Sequence, residues 1–535
     1  MRAGGVAVSD NARRFGAGVT KGVSAVAIAL VISAVWWTVA PNSQRAITDT
    51  ATIAPLTGTG TDARSTSSTT SAPPATTAVP TKPPFAGWVN PASAGAPFPK
   101  ATTNGLITFR GNPTRSYYGT GPIPTKPKVL WSYPKGNGGM CGSSSDTDGE
   151  QTWCGTGWNG QPSVWDYNGK TWLAFGAYDY RVHFLNATDG SDMIPALNTG
   201  DLAKGTVSVD PDGFPLLYHG SRDNYLRIVA FDRAEPTVLW KLNANDPALG
   251  PTLWNDDWDG SPLIIDDYLF EGGENSRINV VKLNRSYGAD GKVKVDPKIV
   301  WSAAGWDNEL LQYITDQQVS IENSVAISGN TLYFANSGGL VQGWDISGLK
   351  DGATPTRTFR FWAGDDIDAS IVIDDEGFLY IGSEWERYND RSRDVGQIIK
   401  LDPRKPDNPL VWGIKNQVAE GKSGVWGTPG LYKDMLYVPT NGGELLGVDR
   451  ATGNVRWRKK LPGPLWQSPV IIDGVLIQGD CSGVLHAYDV RDTTIDPPQL
   501  WSVQLTGCIE STPAVWNGRI YVGARGGKFY AIGDS

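Results

Sequence analysis

The sequence has few of the side chains on which most catalytic centres depend. Its 535 residues include three His and four Cys. The histidines (His183, His219 and His486) are far apart, and no Ser/His/Asp set is recognisable, so hydrolase chemistry of the triad kind is not expected. The cysteines form neither the CxxC pair of zinc sites nor the CxxCH motif of haem attachment. We therefore predict no metal site, with packing or surface roles for the histidines.

Long runs of positive charge are also missing. The chain has 47 Lys and Arg against 55 Asp and Glu, for a net charge of −8. The densest basic cluster of the repeated region, 456–460, lies on a predicted outer strand, where charge protects the edge. Nucleic acid is therefore excluded as an expected partner. In contrast, 64 Gly and 22 Trp accompany 40% hydrophobic residues, which is typical of many tight turns around a large core.

One long apolar run lies near the N-terminus. Residues 22–40 carry no charge, and as a helix they span about 28 Å, close to the hydrocarbon thickness of a bilayer. The preceding residues 1–21 carry four basic side chains, which predicts a cytoplasmic tail and an extracytoplasmic remainder. The alternative is a signal peptide cleaved after Ala40, but the length of the run and Trp36-Trp37 favour a membrane anchor. Without a Cys here, lipid attachment of the lipoprotein type is not expected.

Residues 41–100 are rich in Thr, Ser, Pro and Ala, and their aliphatic residues are scattered singly. Such a segment cannot bury enough apolar surface to order itself, so we predict a disordered linker. As a coil it reaches about 45 Å, enough to hold a folded domain away from the membrane. The sequence leaves open whether the linker is O-glycosylated. The folded domain is expected at 101–535.

The rest of the chain repeats a pattern of four short strands. Residues 466–505 show it best: Asp473-Gly474 and Ser482-Gly483 are turn signals, and Trp501 lies in the fourth strand. Four antiparallel strands joined by tight inner turns form a propeller blade. Copies begin about 40 to 60 residues apart, the period expected for blades. We count eight copies: 163–167, 207–242, 261–301, 324–362, 369–412, 427–461, 466–505 and 511–535.

The last copy has only three strands, so its fourth must come from elsewhere. Within the lead-in 107–134, residues 129–133 have a strand pattern. Pairing them with 528–532 would close the ring and remove the exposed sheet edges. The predicted fold is therefore all-β: an eight-bladed propeller of four-stranded blades, preceded by one transmembrane helix and a disordered linker.

The repeats resemble a known family. Inner strands open with Ser/Thr-Pro or Ser-Val, and Ala451-Thr452-Gly453 precedes Trp457. The recurring outer-strand tryptophans are Trp240, Trp301, Trp412, Trp457 and Trp501. This pattern is similar to the tryptophan-docked repeats of the PQQ-like (quinoprotein-type) β-propeller family, and 107–134 resembles that family's lead-in. The resemblance implies the fold but little about function, because the shared residues are packing residues.

The four cysteines are predicted on one face of the ring. With blade strands A to D counted from inside out, the B–C turns and the D-to-A connections lie on the same face. Cys141 and Cys154 are in the first D-to-A loop, while Cys481 is in a B–C turn beside the loop of Cys508. Three pairings exist in principle. Proximity favours Cys141–Cys154 and Cys481–Cys508, and an extracytoplasmic location permits disulfides.

The same face, here called the loop face, has long connections rich in Trp and acids. Function concentrates on elaborated loops of a rigid scaffold, so we predict a binding surface there. The candidates are Trp158, Trp254, Asp257, Trp258, Arg277, Trp306, Glu322, Arg387, Trp426 and Arg525. The alternative is that these tryptophans only cap the blades beneath them.

Acids on the same loops could bind calcium. Those of 256–259 offer carboxylate oxygens, but their spacing does not match an EF-hand loop, and we favour turn chemistry as their role. Glu322-Asn323 is similar to calcium ligands of PQQ dehydrogenases, without the rest of the set.

Two functions are consistent with this sequence. The first is a membrane-anchored, extracytoplasmic and non-catalytic propeller that acts as a scaffold or binding module for an envelope protein or glycan. Such a protein would resemble the propeller of the outer-membrane assembly lipoprotein, without the lipid-attached Cys of that protein. The second is a quinoprotein dehydrogenase that uses PQQ and calcium to oxidise an alcohol or sugar. The adjacent Cys-Cys pair of those dehydrogenases and their haem motif are absent. We therefore favour the first function and expect no cofactor.

Overall fold

The computed structural model describes residues 85–146, 149–418 and 422–535. The predicted tail, the predicted membrane helix and residues 41–84 of the linker lie outside the described residues. Within the described ranges, no helix is long and apolar enough to cross a membrane. The helices there are short: α1 (Asn308–Ile314), α2 (Asp390–Val395) and the 3-10 turns Pro91–Ser93, Pro247–Leu249 and Leu349–Asp351.

Eight four-stranded antiparallel blades form the ring, so the predicted fold class is confirmed for the described residues. Five strands precede the first inner strand: β1 (Gly105–Leu106), β2 (Gly119–Thr120), β3 (Lys128–Tyr133), β4 (Cys141–Asp146) and β5 (Gly149–Cys154). Blade 1 comprises β6 (Ser163–Tyr167), β7 (Lys170–Ala177), β8 (Arg181–Asn186) and β9 (Leu197–Asn198). Blade 2 comprises β10 (Ser208–Val209), β11 (Leu216–His219), β12 (Tyr225–Ala230) and β13 (Thr237–Asn243).

Blades 3 to 5 follow in chain order. Blade 3 comprises β14 (Leu263–Ile265), β15 (Tyr268–Gly272), β16 (Arg277–Lys282) and β19 (Lys298–Ala304), with the hairpin β17 (Ser286–Tyr287) and β18 (Val293–Lys294) inserted before β19. Blade 4 comprises β20 (Ala326–Ser328), β21 (Thr331–Phe334), β22 (Leu340–Asp345) and β23 (Thr356–Trp362). Blade 5 comprises β24 (Val372–Ile373), β25 (Leu379–Gly382), β26 (Ile398–Leu401) and β27 (Leu410–Ile414).

The last three blades complete the ring. Blade 6 comprises β28 (Gly430–Tyr432), β29 (Met435–Pro439), β30 (Glu444–Asp449) and β31 (Val455–Lys460). Blade 7 comprises β32 (Val470–Ile472), β33 (Val475–Gly479), β34 (Val484–Asp489) and β35 (Gln499–Gln504). Blade 8 comprises β36 (Ala514–Trp516), β37 (Arg519–Ala524), β38 (Lys528–Gly533) and the distant β3.

Strand β3 closes the ring as predicted. It pairs antiparallel with β38, with Trp131 opposite Ala531, so the edge of the C-terminal sheet is covered. The indole of Trp131 then packs on blade 1 at Gly190, where an added Cβ would lie 2.6 Å from the ring. Trp412 packs in the same way on Gly453, at 2.9 Å. The repeated tryptophans therefore join neighbouring blades, which confirms their packing role.

The central channel is filled by the chain segment 105–120, here called the plug. Its first strand, β1, adds to blade 1 by pairing with β6, and its last strand, β2, adds in parallel to β36 of blade 8. Between them, the carbonyl of Pro113 accepts from the Ile327 amide of blade 4 at 2.9 Å. The plug therefore binds inner strands on several sides of the channel. Sequence reasoning predicted the closing strand but not this segment.

Two fully buried arginines, Arg110 and Arg115, hold the plug in place. The Arg110 guanidinium donates to the carbonyls of Thr428, Pro429 and Pro469, at 2.9 to 3.1 Å. Arg115 donates to the Val325 carbonyl at 2.8 Å. Burial lowers the pKa of Arg115 to about 9, although the nearby Glu271 carboxylate acts in the opposite direction. Two buried charges thus satisfy carbonyls of blades 4, 6 and 7.

Hydroxyl groups connect most neighbouring blades in a circle around the channel. The second residue before each inner strand is a Ser or Thr in most blades, and its hydroxyl accepts from the backbone N–H at the same position of the preceding blade. Ser324 donates its N–H to Ser370 Oγ, Ser370 to Thr428 Oγ1, and Thr428 to Ser468 Oγ, each at 2.9 Å. These bonds satisfy inner amides that have no neighbour in their own sheet.

The boundary of the folded domain differs from the prediction. The linker was expected to extend to residue 100, but Trp88 and Val89 are buried against blades 3 and 4. The Trp88 indole donates to the Ile346 carbonyl at 2.8 Å, and its ring meets Tyr268 edge to face. A single large aromatic residue is enough to anchor a segment whose composition otherwise predicts disorder. The described folded part therefore begins at residue 85.

Both predicted disulfides are present. Cys141 and Cys154 join the two strands of the β4–β5 hairpin, and Cys481 is bonded to Cys508. The pairing follows from the topology, because a B–C turn and the adjacent D-to-A loop meet on one face.

We expect Arg110→Met to lower the free energy of unfolding by about 3 kcal/mol, because three buried carbonyls lose their donor. Urea denaturation of the full-length protein measures the change. Arg491→Met is the matched control, since Arg491 is exposed and forms its ion pair with Asp489, and its denaturation midpoint should match that of the wild type. Equal effects of both substitutions would contradict the anchoring role of Arg110.

We expect the double variant Cys481→Ser/Cys508→Ser to lose about 3 kcal/mol of stability, because the disulfide closes a segment of 27 residues. Denaturation midpoints with and without reductant measure this loss. The variant keeps the Cys141–Cys154 disulfide, so any further fall of its midpoint in reductant should come from reduction of that pair. A variant with the midpoint of the oxidised wild type would contradict the prediction.

Candidate functional site

The loop face is held together by ion pairs between B–C turns and D-to-A loops. Arg222 Nε lies 2.9 Å from Asp257 Oδ2, and Arg525 Nη1 lies 2.9 Å from Glu510 Oε1. Arg387 pairs with Asp316 and also donates to the carbonyls of neighbouring loops. The loops are therefore cross-linked rather than independent.

One sequence position recurs on this face in every blade, in the connection that enters the inner strand. It lies two residues before the Ser or Thr whose hydroxyl links neighbouring blades, or before Gln161 in blade 1. The eight residues in this position are Asn159, Lys204, Asp259, Glu322, Asp368, Trp426, Trp466 and Glu510. Five of them line a small depression at the end of the channel. This register was the signal by which sequence reasoning could have found the site.

The depression, here called the axial cup, has a volume of about 20 Å³. Such a volume holds roughly one water-sized group. Its floor is formed by Phe109 of the plug. Carboxylates and indoles form its walls: Asp259, Glu322, Asp368, Trp158 and Trp426.

The three carboxylates come from the connections that enter blades 3, 4 and 5. Asp259 is 4% exposed, and burial raises its pKa well above the ordinary value. Burial also raises the pKa of Asp368, and Asp366 adds like-charge repulsion. Asp368 Oδ2 accepts the indole N–H of Trp426 at 3.0 Å, which fixes both side chains. The cup therefore brings together carboxyl groups whose ionised form is disfavoured by burial, and a cation placed beside them would stabilise that form.

Indole rings form the other walls. Trp158 and Trp426 meet edge to face, with centroids 5.3 Å apart and planes at 87°. Trp466 continues the row, 6.0 Å from Trp426 and again nearly perpendicular. Faces of indole rings attract cations, so the aromatic and acidic walls favour the same kind of group.

A buried lysine already occupies the neighbouring position. Lys204 Nζ lies 2.6 Å from Asp259 Oδ2, 3.5 Å from Glu274 Oε1 and 3.6 Å from Asp257 Oδ2. It also lies 4.0 Å from the centroid of the Trp158 ring. Carboxylate oxygens of Asp257, Asp259 and Glu274 lie within 4.8 Å of one another, a spacing that could hold a metal ion. Here the Lys204 ammonium supplies the positive charge instead. Asp256 instead accepts the side-chain amides of Asn224 and Asn245, in agreement with a turn role.

A second acidic group lies beside the cup, on blade 5. Burial and repulsion from its neighbours raise the pKa values of Asp366 and Glu384. Burial raises the pKa of Glu386 to about 8, and repulsion from Asp368 and Asp365 adds to the rise. These carboxyl groups therefore hold protons more strongly in the folded protein than in the unfolded chain.

The structure brings together only part of the predicted binding set. Trp158, Glu322 and Trp426 line the cup, and Asp257 lies behind it beside Lys204. Five other candidates lie elsewhere: Trp254 and Trp306 are half-buried in loops, Arg387 and Arg525 make the ion pairs described above, and Arg277 is buried, donating to the Pro251 carbonyl at 2.8 Å.

Trp258 corrects the prediction most clearly. It is 0% exposed and belongs to the core between blades 2 and 3, with its indole N–H donating to the Asn224 carbonyl at 3.1 Å. Neither Trp258 nor Arg277 is accessible to a ligand. The pattern of acids and tryptophans in one loop could not distinguish a ring that faces the core from one that faces the axis.

The described residues form an eight-bladed propeller with the axial cup at one end of its channel. Comparison with known proteins supports this assignment. A family model described as outer membrane protein assembly factor BamB matches residues 394–533. The chain is also 27% identical over 167 residues to the outer membrane protein assembly factor BamB of Nitrosomonas eutropha. That alignment covers 30% of this chain and 36% of the relative, so the chain spans about a third of the curated relative it matches.

Solved structures share the fold at low identity. The quinohemoprotein alcohol dehydrogenase of Comamonas testosteroni superposes with a TM-score of 0.53 at 14% identity, covering 81% of each chain. A europium-containing methanol dehydrogenase gives a TM-score of 0.51 at 13% identity, covering 81% of this chain and 98% of the other. The matches to the family model and to the curated relative confirm the resemblance to PQQ-like propeller repeats over the matched residues, whereas the solved structures show the fold alone.

The residues present do not fit PQQ. A quinone of three fused rings needs a slot, whereas the cup holds about 20 Å³. Trp158 and Trp426 are perpendicular to each other and do not form parallel walls. No two cysteines are adjacent in the chain. We therefore derive no catalytic step through this cofactor.

We expect the free energy of unfolding to fall as the pH rises from about 4.5 to 8, because Glu386 has an ordinary pKa of 4.5 and a folded pKa of about 8. Its protonation favours the folded state, and this contribution is lost as the pH passes the folded pKa. Glu386→Gln should reduce the slope by at most about 1.4 kcal/mol per pH unit. Urea denaturation across this range measures the slope, and Glu235→Gln, on an exposed turn, is the control. A slope unchanged by Glu386→Gln would contradict the prediction.

Proposed function

We propose that this chain is a non-catalytic binding propeller of the cell envelope, whose axial cup takes a positively charged side chain of an extracytoplasmic protein. The observation that carries the proposal is the convergence of three carboxylates and two indoles on a cup with room for one small group. A carboxylate that is shielded from water attracts a cation more strongly than one in solvent. The indole faces add attraction for the same charge.

Lys204 shows how this environment holds an ammonium group. Its Nζ lies against the Asp259 carboxylate and over the Trp158 ring. On the other side of the cup, Asp368 accepts the indole N–H of Trp426, so a carboxylate and an indole again lie together. A lysine side chain from a partner would meet the Asp368 carboxylate there, as Lys204 Nζ meets Asp259.

The envelope location is part of the proposal. The relative from Nitrosomonas eutropha is named as an outer membrane assembly factor, which supports a role near a membrane. We propose that residues 22–40 anchor the chain as a single membrane-spanning helix, with the N-terminus in the cytoplasm and the propeller outside. Two disulfides are consistent with an oxidising compartment.

The test uses a synthetic peptide with a single lysine in a neutral sequence, titrated into the full-length protein by calorimetry. We expect saturable binding that Asp368→Asn weakens by about tenfold or more, because a desolvated charge pair is lost while an acceptor for the Trp426 indole is kept. Acetylation of the peptide lysine removes only the charge and should have a similar effect.

Glu309→Gln is the matched control, because Glu309 is an exposed acid on the same face, away from the axis. Its variant should bind the peptide as wild type does. Equal binding of the acetylated peptide, or equal losses in the Asp368 and Glu309 variants, would show that the cup is not the site. Stoichiometric binding of PQQ in the presence of calcium, with dye reduction by an alcohol or sugar, would favour the dehydrogenase instead.

A further inference from the structure

The opposite face of the ring carries a larger cavity than the axial cup. It has a volume of about 350 Å³ and lies between the A–B turns of blades 5, 6 and 7 and plug residues 116–119. This volume is within the usual range of small-molecule sites. The cavity, here called the turn-face cavity, exists because the plug leaves space beneath those turns.

The floor and walls of the turn-face cavity are apolar and aromatic. Ile471 and Ile472 are each 5% exposed, and the rings of Tyr117 and Tyr432 are half-buried. The floor is rigid at Tyr118, because its hydroxyl accepts the Leu431 amide at 2.7 Å and its ring lies 4.5 Å from the Arg110 guanidinium. A ligand with an apolar face can therefore lie against a preformed surface.

The rim of the turn-face cavity carries both signs of charge. The exposed side chains of Asp375 and Asp473 are negative, and the exposed side chain of Lys433 is positive. Arg450 Nη2 lies 2.6 Å from Asp374 Oδ2, so these two charges neutralise each other. Such a rim offers acceptors and donors without strongly favouring an anion or a cation.

We propose that the turn-face cavity binds a neutral saccharide of one or two pyranose rings. A pyranose has an apolar C–H face, which suits the tyrosine and isoleucine surface, and hydroxyl groups around its edge. Those hydroxyls can donate to Asp375 and Asp473 and accept from Lys433. The cavity volume of about 350 Å³ accommodates a ligand of this size. This proposal does not depend on the axial cup, which lies at the other end of the channel.

The test is calorimetric titration of the full-length protein with glucose, N-acetylglucosamine and maltose, and with the charged analogues glucosamine and glucose 6-phosphate. We expect saturable binding of at least one neutral sugar, tighter than that of its charged analogue. Tyr432→Ala removes an aromatic wall and should weaken binding by about tenfold or more. Asp375→Ala, on an exposed turn that tolerates substitution, should weaken it by about threefold or more.

Glu376→Ala is the matched control, because Glu376 is exposed in the same turn but does not line the cavity. It should bind sugar within about twofold of wild type, and the exposed-site variants Asp375→Ala and Glu376→Ala should both keep the wild-type thermal midpoint. Three results would each overturn the proposal: no saturable binding of any neutral sugar, tighter binding of a charged analogue, or equal loss in the Glu376 and Asp375 variants.

Discussion

The structure depends on satisfying backbone polar groups where eight inner strands converge on one axis. An unpaired amide or carbonyl buried there would cost about 1 to 3 kcal/mol, and each blade brings several. The chain meets this constraint in two ways. A circle of Ser and Thr hydroxyls accepts amides from blade to blade, as at Ser324, Ser370 and Thr428. Arg110 and Arg115 then donate to carbonyls that the circle does not reach.

The plug that carries these arginines also shapes both candidate sites. By filling the channel, it leaves a cup of about 20 Å³ at the loop face and a cavity of about 350 Å³ at the turn face. The two ends differ in chemistry because the D-to-A connections bring acids and indoles to one end, whereas the A–B turns bring tyrosines and charges of both signs to the other. A rigid ring therefore presents two recesses of different chemistry, one at each end of its channel.

Acid residues are unusually concentrated at the loop end of the axis. Lys204 balances Asp257, Asp259 and Glu274, while several carboxyls of blade 5 keep raised pKa values. Such an arrangement weakens the fold as the pH rises, and proteins commonly hold strained charge where a ligand binds. The positive charge of a partner would relieve the same repulsion that Lys204 relieves on its own side.

The amino-acid sequence by itself determined the repeated blade, the count of eight, the closing strand β3 and the disulfide pairs. These features depend on local periodicity, turn chemistry and the order of strands, which are properties of neighbouring residues. Only the tertiary structure decided that Trp258 belongs to the core while Trp426 faces the axis, that Trp88 anchors part of the expected linker, and that Arg110 lies in the channel. Their environments are formed by residues up to hundreds of positions away, so no local pattern records them.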